Sequence, residues 1–106
     1  MTNDKMKWYH YAVCLLGGAF FANFIPHFIQ GVSGAPFPTP FANPPGKGLS
    51  SSYVNVLWAF FNLIISYLLL KKGSLSVHKR WSIRWTLIGF FIMSLLLSHG
   101  FKHLHQ

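Results

Sequence analysis

Three stretches of this chain contain no Asp, Glu, Lys or Arg: Trp8 to Ile25, Tyr53 to Leu70, and Trp85 to Ser98. The first two are 18 residues long, and the third approaches that length when Ile83 and Gly100–Phe101 are counted with it. An apolar helix of about 20 residues crosses the ~30 Å hydrocarbon layer of a bilayer. Lipid offers no partner to an open backbone, so such a span is helical. The pattern predicts an all-α membrane protein. It has three transmembrane helices, about 8–25, 53–70 and 84–101, in a single domain covering 1–106. An outer loop over 26–52 and an inner loop over 71–83 join them. Composition agrees, with 52% hydrophobic and 9% charged residues, against about 25% charged in soluble domains. The first segment is expected to stay as a span. Its nearest small-residue cleavage site, Ser33-Gly34-Ala35, runs into Pro36.

Nine Lys and Arg face one acid, Asp4. Seven of the nine (Lys5, Lys7, Lys71, Lys72, Lys79, Arg80 and Arg84) fall at one end of the predicted bundle, and Lys47 and Lys102 at the other. The positive-inside rule then predicts a cytoplasmic amino terminus and an extracytoplasmic carboxyl terminus. Trp8, Tyr9, Tyr11, Tyr67, Trp81 and Trp85 form an inner aromatic belt, with Tyr53 and Trp58 toward the outer side. The positive charges flank membrane ends, where anionic head groups lie. They form no basic stripe with stacking aromatics, so no nucleic-acid partner is expected.

Each predicted helix carries one unusual face. In the first, Ala12, Ala19, Ala22 and Asn23 keep one side small, and Gly18 with Ala22 makes a small-xxx-small pair that favours close helix approach in lipid. Pro26 should end or kink this helix. In the second, Asn55, Ala59, Asn62 and Ser66 recur at steps of 4, 3 and 4 as one stripe. Amides in hydrocarbon need partners. Asn23, Asn55, Asn62 and Ser66 therefore read either as helix–helix glue or as a polar lining. In the third, Trp85, Gly89, Ile92, Leu96, His99 and His103 share a face. Cys14, the single cysteine, has no internal disulfide partner and is expected to pack as a small apolar residue.

Six histidines in so acid-poor a chain are a bias. His99 and His103 are one helical turn apart, a spacing that lets two imidazoles reach one ion. His27 could add a third ligand at the same end. His27, His99 and His103 thus form a candidate site for a divalent metal or haem. The alternative is histidines resting at the interface, where an amphipathic ring is accommodated.

Between the first two spans runs "GVSGAPFPTPFANPPGKGLSS", Gly31 to Ser51, with five prolines and four glycines. A plain connector needs only a handful of residues, and proline makes this one stiff. Phe37 and Phe41 are out of character for a hydrophilic loop. The segment is expected to be an ordered flap over the outer helix ends, with both rings tucked into the bundle or the lipid interface. Lys47 then sits at the outer head-group level, and Ser50, Ser51 or Ser52 caps the second helix. "GKGLSS" lacks the preceding strand and the spacing of a phosphate loop.

The stretch "IPHFIQGVSGAPFPTPFANPPGKGLSSSYVNVLWAFFNL", residues 25–63, resembles a group of small bacterial integral membrane proteins of unknown function. The resemblance covers over a third of the chain. It implies a bacterial inner membrane and carries no activity.

Chemistry is bounded by what is missing. One acid excludes paired-carboxylate acid–base catalysis and a Ser–His–Asp triad. It also leaves no buried acid for a proton-coupled pump. The leading expectation is a non-enzymatic subunit or regulator that self-associates or packs against a larger membrane partner. One alternative is an outer-face metal- or haem-binding protein using the three histidines. The other is an oligomeric pore or carrier for a small anion or neutral solute, lined by Asn23, Asn55 and Asn62 and fed by Lys47.

Overall fold

A computed structural model describes residues 7–105. Asp4 and Lys5, which enter the charge comparison, lie outside the described residues. The chain forms three long helices: α1 (Trp8–Val32), α2 (Ser52–Lys72) and α3 (Arg80–Phe101), followed by a 3-10 turn, Lys102–His105. No strand is present among the described residues. A single antiparallel bridge joins Phe37 to Ser50. All three helices are long and apolar enough to cross a membrane. The molecule measures 48 × 24 × 20 Å, so its long axis compares with the ~40–45 Å of a bilayer including head groups.

The helix ends differ from the sequence expectation. α1 runs through Pro26 to Val32, so the loop starts seven residues later than expected. Pro26 cannot donate to the carbonyl of Ala22 and loses one helical bond. The turn beyond it is held by packing on α2. His27 and Gly31 are both buried. A Cβ on Gly31 would lie 2.7 Å from Val56 Cγ2. α3 begins at Arg80 rather than 84, because Ser82 organises the turn before it. The Ser82 hydroxyl donates to the Lys79 carbonyl and accepts from the Ser76 amide. Ser51 caps α2, its side chain accepting from the Val54 amide at 3.3 Å.

α1 is the central element. α2 and α3 each pack along it and form no comparable interface with one another. The α1–α3 crossing is backbone against backbone. A side chain on Gly18 would collide with the Thr86 carbonyl, and one on Gly89 with the Leu15 carbonyl. These two glycines allow the close approach that small residues provide in lipid, where hydrophobic exclusion between helices is absent. The α1–α2 contact is polar at its centre. Ala59, Asn55, Asn62 and Ser66, the predicted stripe, are the four buried residues of α2.

The helix ends away from the loop carry the aromatic belt. Tyr11 packs edge-on to Trp81 and Trp85, at 5.7 and 5.4 Å between ring centroids. The Lys72 ammonium lies 5.6 Å from the centre of the Tyr9 ring, a cation–π arrangement. Cys14 is fully buried near the same turn, with its thiol 3.6 Å from the Gly73 carbonyl.

Candidate functional site

The polar stripe is built into the structure as glue. The Asn62 amide nitrogen donates to the Trp58 carbonyl one turn back, at 2.8 Å. Its oxygen accepts from the Asn23 amide nitrogen at 2.9 Å. The Ser66 hydroxyl donates to the Gly17 carbonyl at 2.7 Å. Asn55 and Asn62 are fully buried between α1 and α2. Neither side chain is exposed at the surface of the chain.

Asn55 also holds the loop. Its amide nitrogen donates to the carbonyls of Phe37 (2.9 Å) and Ser51 (3.0 Å), with the Ser50 carbonyl at 3.3 Å. Its oxygen lies 2.7 Å from Nδ1 of His27. Because carbonyls only accept, the Asn55 nitrogen must face the loop and its oxygen must face the ring. His27 therefore donates through Nδ1–H. One asparagine joins α1, α2 and both arms of the loop.

The loop's own bonds start from Thr39, which is 1% exposed. Its carbonyl accepts from the amides of Ala42 (3.1 Å) and Gly46 (2.9 Å). Its hydroxyl accepts from the Phe41 amide and pairs with the Ser50 hydroxyl at 2.6 Å. Sequence reading overlooked Thr39. The available signal was its place between Pro38 and Pro40. Proline nitrogens have no hydrogen to give, so the one hydroxyl in "PFPTPF" becomes the organising group.

The two loop phenylalanines separate. Phe37 is buried against Phe101 and His27, with centroid distances of 4.6 and 5.4 Å. Phe41 does not enter the bundle. It is 67% exposed and rests edge-on against Trp58 at 5.1 Å. The paired amide and carbonyl of Phe37 with Ser50 point that ring inward. Phe41 lies beyond the pair, on the turn that Thr39 makes.

The three histidines do not come together. Among the described residues no group of three His, Cys, Asp or Glu side chains could hold one ion. His27 is buried and bound to Asn55. Both ring nitrogens of His103 lie near backbone carbonyls, Nδ1 2.9 Å from Gly100 and Nε2 3.4 Å from Lys47. His99 shares with His103, Lys47 and Lys102 a cleft between the loop and the end of α3. That cleft is basic, and the exposed Lys47 lies on its rim.

Further clefts flank this end of the bundle, two of them beside α1. One, of about 160 Å³, lies beneath the loop between His27, Asn23 and Trp58. The other is an apolar groove of about 680 Å³ between α1 and α3. No family model, curated protein or solved structure matches the chain.

Proposed function

We propose that this chain is a non-enzymatic component of a bacterial inner membrane, a small subunit or regulator that packs against a second copy or a larger membrane protein. The amino terminus and the 73–79 turn face the cytoplasm, and the loop and the carboxyl end face outward. The observation that carries the packing reading is the groove between α1 and α3. Ala22, Ile25, Pro26, Phe90 and Leu97 line it. Its wall contains a small residue, Ala22, and the helix-breaking Pro26 one turn on. Small residues and serine hydroxyls, here Ala22, Ser94 and Ser98, are what helix pairing in lipid uses. The small faces at Gly18 and Gly89 are already engaged within the chain, and the groove is an apolar surface that remains open to a neighbour.

The side chains in the spans favour a packing role over chemistry. Asn23, Asn62 and Ser66 bond helices together, and Asn55 bonds the loop. Mass measurement of the protein extracted in mild detergent tests the proposal. It expects an assembly with a defined stoichiometry of copies or of one partner chain. A monodisperse monomer, from native membranes and over a range of detergents, would overturn it.

A further inference from the structure

The cleft under the loop has an unusual polar lining. Asn62 directs its nitrogen to the Trp58 carbonyl, which fixes its oxygen toward Asn23. Asn23 must meet that oxygen with its nitrogen, and among the described residues no group bonds the Asn23 oxygen. The same logic at Asn55 makes His27 donate through Nδ1. In the neutral ring Nε2 is then an acceptor, and among the described residues no group bonds it. His27 is 2% exposed. Among the described residues no buried side-chain nitrogen or oxygen is sealed off without a partner. Both atoms therefore reach open space, and the cleft is the space the two residues share. They are four residues apart on α1 and so lie on one face.

The other walls are apolar and flat: Pro38, Pro40, Trp58 and Phe101. The Thr39 hydroxyl is already used within the loop. The second N–H of the Asn23 amide and the Trp58 indole N–H remain as side-chain donors. Both acceptors meet the cleft without a protein donor, so the cleft suits a guest with a hydrogen to give. A carboxylate or a phosphate diester has none. An ammonium has several, but Lys47 and Lys102 lie at this end and no acid is present among the described residues. A neutral hydroxyl remains, and it can also accept from the indole. The volume of about 160 Å³ compares with the roughly 150 Å³ that accommodates a benzene ring in an apolar protein cavity.

We infer that this cleft binds a small neutral molecule carrying a hydroxyl on a flat apolar body, of the size and chemistry of a phenol. The hydroxyl gives its hydrogen to Nε2 of His27 or to the Asn23 oxygen, and the ring lies between Trp58, Phe101 and the prolines. The site shares only Phe101 with the α1–α3 groove, and the inference does not rest on the chain assembling.

The test uses the whole protein in lipid nanodiscs with ¹⁵N-labelled histidine rings, the His27 signal being assigned by its loss in His27→Phe. Phenol, anisole and benzene are titrated separately. Phenol should shift the Nε2 signal of His27 saturably. Anisole and benzene, which lack the hydrogen, should bind about threefold to tenfold more weakly. Equal affinity for the three probes would reduce the site to an apolar crevice and overturn the inference. So would a phenol effect on His27 that is absent or rises linearly without saturating, as partition into lipid does.

Discussion

Nδ1 of His27 on α1 lies 2.7 Å from the amide oxygen of Asn55 on α2, and the nitrogen of that same amide holds the loop. Two buried polar residues thus fasten together three parts of the chain that are distant in sequence. In hydrocarbon such a bond is modest alone. Here it is one of a set, and removing one member leaves the others without partners.

Asn55→Ala is expected to destabilise the folded protein by about 1–3 kcal/mol, because the buried His27 N–H loses its partner and the Phe37 and Ser51 carbonyls keep only their backbone donors. His27→Phe should cost less. The two changes should be non-additive by roughly 1 kcal/mol or more. Unfolding in mixed detergent micelles measures all three variants. Additivity within about 0.5 kcal/mol would mean that the two side chains act separately.

The glycines of α3 should behave differently from each other. At Gly89 a methyl group meets the Leu15 backbone, whereas at Gly100 nothing lies within 4 Å. Gly89→Ala should weaken α1–α3 packing by several kcal/mol, as overpacking against an unyielding backbone does. Gly100→Ala should change stability by no more than about 1 kcal/mol. Disulfide trapping between cysteines placed across the α1–α3 contact reports the packing directly.

The loop phenylalanines supply a paired test. Phe37→Ala removes a buried ring, and is expected to cost about 3–5 kcal/mol. Phe41→Ala removes a largely exposed one, and is expected to cost about 1 kcal/mol or less. A protease that cuts after aromatic residues should act slowly on the wild-type loop and quickly at Phe41 in Phe37→Ser. Rapid cleavage of the wild type would show that Phe37 does not hold the loop down.

Orientation is tested by reporters fused to either end. The charge bias predicts that a reporter active only outside the cytoplasm works at the carboxyl end. Activity there of a cytoplasm-only reporter would invert the topology.

The helices were legible because the absence of charge over three stretches leaves few alternatives in lipid. The Asn55–Ala59–Asn62–Ser66 stripe was legible because its spacing matches one helix face. All four are buried. The passage of α1 through Pro26 was not legible. A local rule ended the helix, and the packing of His27 and Gly31 on α2, invisible along the chain, carried it on. The separation of Phe37 from Phe41 was hidden for a similar reason, since the Phe37–Ser50 pair joins residues 13 apart. The histidines misled by spacing. His99 and His103 stand a turn apart, but the bond from His27 to Asn55 depends on α2, which no pattern within α1 reveals.

A photo-crosslinking amino acid placed at Ile25 or Leu97, in the α1–α3 groove, and at Ile64, exposed on α2, would probe the groove in native membranes. Packing of a neighbour in the groove predicts a discrete protein adduct from Ile25 and Leu97 and only lipid adducts from Ile64. Lipid adducts alone from Ile25 and Leu97, or the same protein adducts from all three positions, would contradict it.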